Sequence, residues 1–438
     1  MARFRLADSM AARIMTTDGA DRPFPIPPLA ARIFTILAAS GIDARIVGGA
    51  VRDWLVGRVI GDIDMAVAAP IDRVAGLLRN AGLRVIDTGL DHGTVTVVDD
   101  GRHLEVTQTR VDLETDGRHA VVAFSDDWAV DAARRDFTIN ALYVDEAGRI
   151  EDPLGGRADL EAGILRFVGT TTRRVEEDAL RMLRYCRFLP HFGAAGTDDD
   201  ALAALAGKAG LAANLSGERI ANELSRLLAG PAAAAAITLM QETGLAAAAL
   251  GGTLDSSRLT PEIDQAVATV FGGDNLAWLV RLAVIMQPGM ADSLATRLRL
   301  SRRDSQFLQA LDRDMADADA GDHVDALTGA AWQQAAWWRR RAEAKPATNL
   351  PAANLPVAAL VVASGRAGRP IDGPHLARLA AWVPPVFPLT GADLLSQGVD
   401  SGPAVGELLR AAEQEWVARD FAPTRPDLLT FLGLDPAT

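Results

Sequence analysis

Cysteine is almost missing from this chain of 438 residues, where Cys186 stands alone. A lone thiol excludes an intramolecular disulfide and any cysteine-built zinc cage, and it is compatible with a reducing compartment. Lysine is nearly as scarce. Lys208 and Lys345 are the only two, so almost every cation is an arginine, whose planar fork suits bidentate contacts with phosphates and base edges. Positive charge is not in excess either. A net charge of −13 and a pI near 5.0 exclude a protein that coats itself in cations and holds any nucleic acid by bulk attraction, although a local basic groove stays open. No segment reaches the ~20 continuous apolar residues of a membrane span. The first 21 residues lack the sustained apolar core of a signal sequence. A soluble, cytoplasmic protein is expected.

What is present is aliphatic and helix-forming. Hydrophobic residues make up 49% of the chain, enough for packing throughout, and the length points to two to four domains. Alanine runs such as Ala232 to Ala236 favour helix. A Pro-rich patch from Arg22 to Pro28 separates a short leader from a first helix over about Leu29 to Ala39. From Asp43 to Val168 strands and short helices alternate. Arg45–Val47, Asp62–Val67, Val85–Asp87, Thr94–Val98 and Leu104–Gln108 read as strands, with a hairpin turn at Asp99-Asp100-Gly101. Val111 to Ala133 is polar without a clean period and reads as a mobile loop. Beyond Gly169 helix follows helix. Trp332, Trp337, Trp338 and Trp382 accompany the run Arg339-Arg340-Arg341, which either grips RNA or is a helix with buried tryptophans and a solvated arginine face. Pro384-Pro385 precedes a last helical piece around Glu407 to Trp416.

Ile46-Val47-Gly48-Gly49-Ala50-Val51-Arg52-Asp53 places two glycines after an apolar strand, a turn whose backbone N–H groups can approach a triphosphate closely. Just downstream, Gly61-Asp62-Ile63-Asp64-Met65 sets two carboxylates two residues apart, which on one strand would share a face. Paired hard oxygen ligands suit Mg²⁺, and two such ions can clamp an in-line phosphoryl displacement. Alone, Asp-x-Asp reads better as a solvated strand end or loop; the preceding Gly-Gly-x-x-Arg-Asp turns the reading toward nucleotidyl transfer.

Arg134-Arg135-Asp136-Phe137-Thr138-Ile139-Asn140 offers guanidiniums, a carboxylate and an amide for phosphate and ribose, or else a charged helix start. Asp152 to Gly156 dictates a turn into a helix. In Glu177-Asp178-Ala179-Leu180-Arg181-Met182-Leu183-Arg184, residues Ala179, Met182, Leu183, Cys186 and Leu189 form one helical face and Asp178, Arg181 and Arg184 the other. Asp178 and Arg181 are either a surface ion pair or a reading head for bases. Cytosine and adenine present an amino donor beside a ring-nitrogen acceptor, which an acid and a guanidinium complement; uracil and guanine present the reverse.

These blocks in this order resemble the class II tRNA nucleotidyltransferase and bacterial poly(A) polymerase family over most of the chain. The resemblance implies an α+β protein: a polymerase-β-like nucleotidyltransferase head of mixed sheet and helices, then an all-α neck, body and tail. The expected boundaries are a leader at 1–28, head at 29–168, neck at 169–235, body at 236–385 and tail at 386–438. It implies that Asp62 and Asp64 hold catalytic Mg²⁺, with Glu105 the candidate third carboxylate and Asp99 or Asp100 its alternatives. Gly48, Gly49, Arg52, Arg134, Arg135, Asp136 and Asn140 would bind triphosphate and ribose, Asp152 to Gly156 would link head to neck, and Asp178, Arg181 and Arg184 would face the base. Glu218 to Leu224 is similar to a neck helix that supports the base-reading one, and Leu389 to Leu409 looks like the family's tail. No His-Asp dipeptide occurs, so the metal phosphohydrolase domain of some relatives is not expected. The implied activity is template-independent addition of C, C and A to the tRNA 3′ acceptor end from CTP and ATP, with no membrane partner and an open oligomeric state. The alternatives are a poly(A) polymerase, a partial CC- or A-adding enzyme, a noncatalytic tRNA-binding protein and a small-molecule nucleotidyltransferase.

Overall fold

The computed structural model describes residues 22–90, 93–115, 120–193, 195, 198–230, 232–272, 275–316, 320–329, 332–343 and 355–436. The expected leader therefore lies outside the described residues up to position 21. The chain divides into two compact units, one of residues 1–227 and 235–252, the other of residues 228–234 and 253–438.

In the first unit, helix α1 (Pro28–Ala38) starts at a proline, which needs no N–H there, and buries Leu29, Ile33, Phe34 and Leu37 at helical spacing. Strand β1 (Ala44–Val47) leads through Gly48 into α2 (Gly49–Leu55). Then come β2 (Asp64–Val67), α3 (Ile71–Asn80), β3 (Arg84–Gly89), β4 (Thr94–Asp99) and β5 (Arg102–Gln108). Asp100 and Gly101 both take positive φ (48° and 73°), the type I′ geometry whose twist suits a two-residue hairpin. The main sheet has seven strands in the order β3-β4-β5-β2-β1-β8-β9, where β8 is Tyr143–Val144 and β9 Ile150–Glu151. All its pairings are antiparallel except β2 with β5. Buried Ile46, Met65, Val67, Val95, Val97 and Val106 form its core face.

The expected loop over Val111 to Ala133 is instead a hairpin and a helix. Among the described residues, strands β6 (Arg110–Thr115) and β7 (Ala120–Phe124) pair only with each other, and α4 (Trp128–Ala133) follows. The alternation of Arg110-Val111-Asp112-Leu113-Glu114 and the apolar run Ala120–Phe124 were the available signals, masked by the polar stretch between them. Fully buried Thr109 staples the hairpin base, donating its backbone N–H to Val67 O at 2.9 Å and accepting Ser125 N–H at 3.3 Å.

Next come α5 (Gly156–Ala162), α6 (Thr171–Glu177), α7 (Leu180–Phe192), α8 (Asp199–Lys208) and α9 (Gly217–Ala229). The turn into α5 is as expected. Asp152 accepts the N–H groups of Gly156 and Arg157 at 2.8 and 2.9 Å, and a side chain at Gly156 would collide with the Thr138 carbonyl. The expected single helix across Glu177 to Arg184 is broken. Asp178 has extended dihedrals (φ −153°, ψ 105°), so α6 ends before it and α7 begins after it. Met182, Leu183, Cys186 and Leu189 do form the buried face of α7.

The second unit is helical. Leu355–Ala367 is buried for most of its length, yet among the described residues no helix is long and apolar enough to cross a membrane. Trp337 and Trp416 pack edge to face at 5.1 Å in a core with Leu394, Ala412, Leu428 and Leu429, and Trp332 meets Trp382 at 5.7 Å. Trp337 is thus core, as the bland reading had it. The side chains of Trp338 and Arg339 to Arg341 lie outside the described residues.

Candidate active site

Asp64 opens β2 and Glu105 lies on β5, and the parallel register sets the two residues opposite each other. Opposed residues of a ladder project from the same face, so the backbone fixes the relation between these carboxylates. Of the candidates for a third acid, Glu105 has this placement; Asp99 pairs with Arg32 of α1 at 2.8 Å instead. Asp62 departs from expectation. The β1 ladder ends at Val47 opposite Asp64, where the chain turns at Gly48, so β2 starts at Asp64 and Asp62 precedes it. Its side chain is 94% exposed, with His103 Nε2 at 4.0 Å. Partial burial, then the negative charges of Glu105 and Asp62, push the Asp64 carboxyl up to about 6, while Arg135 pulls it down.

Gly48 turns the chain with φ +74° and ψ −124°, and a Cβ there would lie 3.4 Å from Arg135 Nη1. The positive φ favours glycine there, and a Cβ would just touch the Arg135 guanidinium. Arg135 is held by Asp131. Its Nη2 and Nε donate to Asp131 Oδ2 at 3.0 and 3.2 Å, Nε donates also to the Tyr143 hydroxyl at 3.1 Å, and Nη1 donates to Asn140 O at 3.3 Å. Arg134 donates from Nε to the other Asp131 oxygen at 2.8 Å. Burial works to raise the Asp131 pKa, but Arg135, Arg134 and the Tyr143 hydroxyl hold it below the usual carboxylate range. Asp131 and Tyr143 were not singled out from the sequence. The spacing of Asp131 to Arg134 and Arg135, three and four residues along a helix, was the available signal.

A second network ties the blocks together. Buried Arg52 donates to Asn140 Oδ1 at 2.6 Å and pairs with Asp53 at 2.8 Å, its guanidinium lying over the rings of Phe188 and Phe192. Asn140 Nδ2 donates to Asp136 Oδ1 at 3.0 Å, and Arg184 Nε to Asp136 Oδ2 at 2.6 Å. Arg184 continues to buried Glu223 on α9, which also takes Arg187 at 2.8 Å. Burial opposes charge on Asp136, yet Arg184 and the Asn140 amide hold its pKa below the ordinary range. Arg52, Asn140, Asp136 and Arg184 are therefore already engaged with one another.

At the α6–α7 joint, Asp178 and Arg181 do not pair together. Asp178 Oδ2 accepts from Arg219 Nη2 at 2.7 Å and Oδ1 from Leu180 N–H at 3.1 Å. Arg181 donates to Glu177 Oε2 at 2.8 Å, Arg174 O at 3.0 Å and Arg134 O at 3.2 Å. The surface ion pair that the spacing allowed does not form, because the extended backbone at Asp178 takes its side chain off the helical lattice. Arg174, also missed from sequence, spans Glu177 at 2.7 Å, Val168 O at 2.9 Å and Ala133 O at 2.6 Å.

Facing carboxylates on adjacent strands, with a glycine turn and tethered guanidiniums beside them, define a nucleotidyl-transferring head. The Poly A polymerase head domain family matches residues 44–166, and the probable RNA and SrmB-binding site of polymerase A matches residues 198–253. CCA tRNA nucleotidyltransferase 1, mitochondrial, of Danio rerio is 31% identical over 404 residues, covering 91% of this chain and 89% of that protein. The CCA-adding enzyme of Geobacillus thermodenitrificans is 45% identical over 207 residues, 47% of this chain and 50% of its own. Among solved structures, the Bacillus stearothermophilus CCA-adding enzyme in complex with CTP superposes with a TM-score of 0.70 at 29% identity, covering 92% of this chain and 96% of that one. The chain belongs to the tRNA nucleotidyltransferase and poly(A) polymerase family and is a nucleotidyltransferase.

Proposed function

We propose that this enzyme adds C, C and A in turn to the 3′ end of tRNA, using CTP and ATP and releasing pyrophosphate at each step. The observation that carries the reading is the joint at Asp178 and Arg181, where an acid and a guanidinium three residues apart are bonded to Arg219 and Glu177 rather than to each other. Such a pair can accept from the amino group of cytosine or adenine and donate to the adjacent ring nitrogen, and it meets uracil or guanine with like against like. The names of the relatives and the CTP-bound Bacillus structure support this choice.

Asp62, Asp64 and Glu105 suit Mg²⁺ in kind. They are hard oxygen donors, and the Asp64 carboxylate, disfavoured first by desolvation and then by the charges of Glu105 and Asp62, is one that a divalent cation would stabilise. Among the described residues no three such side chains already form a metal cage; sites of this kind commonly draw further ligands from substrate phosphates. Bound by Asp62 and Asp64, the ions would supply charge neutralisation at the α-phosphate and a more acidic ribose 3′-hydroxyl. Glu105, opposite Asp64, would take the hydroxyl proton. The Gly48-Gly49 turn would seat the triphosphate, with Arg134 and Arg135 held toward it by Asp131. Arg52, Asp136, Asn140 and Arg184 would brace that arrangement and border the ribose. We divide the helical part into neck, body and tail at residues 169–235, 236–385 and 386–438, and place the enzyme in the cytoplasm, to be checked by limited proteolysis and cell fractionation.

The test is product sequencing. Incubated with tRNA ending at the discriminator base, single and mixed nucleoside triphosphates and Mg²⁺, the enzyme should stop at CCA. Long A tails on varied RNAs would show a poly(A) polymerase instead, and arrest at CC would show a partial enzyme.

A further inference from the structure

Strands β2 and β5 pair in parallel register, Asp64 against Glu105 through to Val67 against Gln108. Carried two positions back, past the start of β2, the same offset sets Asp62 against His103. The side chains agree. His103 Nε2 lies 4.0 Å from Asp62 Oδ1, although Asp62 no longer belongs to the strand. Residues two apart on one strand share a face, so His103 stands beside Glu105 on the side that carries Asp64. Four groups thus make two neighbouring pairs, Asp64 with Glu105 and Asp62 with His103.

The two pairs are held differently. Asp64 is fixed between two ladders, opposite Val47 of β1 and Glu105 of β5. Asp62 has neither ladder, its side chain is 94% exposed, and among the described residues His103 is the one hydrogen-bond donor that approaches its carboxylate. An exposed side chain ahead of a strand has rotamers to lose when it takes up a cation. A hydrogen bond to one carboxylate oxygen reduces that loss, which is why metal-ligating carboxylates are commonly bonded to a neighbour. His103 is 67% exposed, so its ring is free to turn and close the 4.0 Å gap to hydrogen-bond range. A neutral ring with its proton on Nε2 suffices. His103 also lies outside every sequence block that marks the family.

We infer that His103 is a positioning residue for Asp62, donating to Oδ1 and leaving Oδ2 for the cation. This rests on the proposed holding of Mg²⁺ by Asp62 and Asp64. His103 touches no reacting atom. Its loss should weaken capture of the metal rather than the chemical step.

The full-length enzyme, with a nonreactive CTP analogue and no tRNA, is titrated with Mn²⁺ as a paramagnetic substitute for Mg²⁺, and the free ion is read by EPR. Wild type, His103→Ala, His103→Gln and Asp62→Asn are compared. His103→Ala should weaken Mn²⁺ binding about tenfold. In CTP addition to tRNA lacking CCA, the same variant should raise the half-saturating Mg²⁺ concentration by a similar factor, while kcat at saturating Mg²⁺ falls by no more than about threefold. His103→Gln keeps an N–H donor and should recover most of the affinity. Adding His103→Ala to Asp62→Asn should cost nothing further, since the two act as one unit. Unchanged Mn²⁺ affinity in His103→Ala overturns the inference, as do independent losses in the double variant. A His103→Gln no better than His103→Ala overturns it too, since a ring nitrogen that ligates the metal directly would give that result. If Asp62→Asn and Asp64→Asn both bind Mn²⁺ as wild type does, the proposed metal role of these carboxylates fails, an outcome distinct from carboxylate-dependent binding that His103→Ala leaves untouched.

Discussion

On the sheet, Asp64 and Glu105 face each other because two strands pair in one register. At the helix joint, Asp178 and Arg181 are placed by the side chains of Arg219 and Glu177. Backbone pairing cannot be altered by one side chain, whereas a guanidinium tether can. On the proposed reading, the chemistry common to every nucleotide would sit on the paired strands, and the choice among nucleotides on the tethered helix joint.

The largest expected effect breaks the chemical side alone. Asp64→Asn should lower the rate of addition by at least about a thousandfold for CTP and ATP alike, measured in single turnover. A loss confined to one nucleotide would erase the contrast between the two regions. Glu105→Gln should cost about a hundredfold, in line with the loss of a positioned proton acceptor, again without changing the ratio of CTP to UTP. Asp131→Ala leaves Arg134 and Arg135 facing each other without their buried counter-charge, and should cost about 3–5 kcal/mol in denaturant unfolding besides weakening triphosphate binding. Unaltered stability would show that the two arginines find other partners.

The smallest effect is a pH dependence. Burial, then the cations Arg58, Arg187 and Arg52, lower the His191 pKa to about 4, with Asp53 opposing. The unfolded chain takes up a proton below about 6.5 that the native state refuses. Stability from this residue is therefore present above that value, declines as pH falls toward 4, and amounts to at most about 3 kcal/mol. Denaturant midpoints for His191→Gln should show a flatter decline across that window than wild type. Equal slopes would place the titration elsewhere.

Much of the catalytic side was legible in the sequence, because apolar alternation marks strands and Gly48-Gly49 and Asp100-Gly101 mark their turns. Glu105 could be placed on a strand, but its partner across the ladder could not be known, since register belongs to tertiary pairing. The strand expected from Asp62 starts at Asp64 instead, because the period-two rule says where side chains would point on a strand and not where pairing stops. The break at Asp178 was hidden by an unbroken apolar face on the following helix, and Asp131 was passed over because nothing local shows that Tyr143 and two guanidiniums close over it. Arg219 lay within a visible motif, but its reach to Asp178 depends on how α9 packs.

The most direct test compares wild type with Asp178→Ala and Arg181→Ala in competition among all four nucleoside triphosphates on tRNA lacking its last three residues. Both variants should lose the preference for CTP and ATP over UTP and GTP while still forming phosphodiester bonds. A preference that survives either change would mean that something other than this acid and this guanidinium chooses the base.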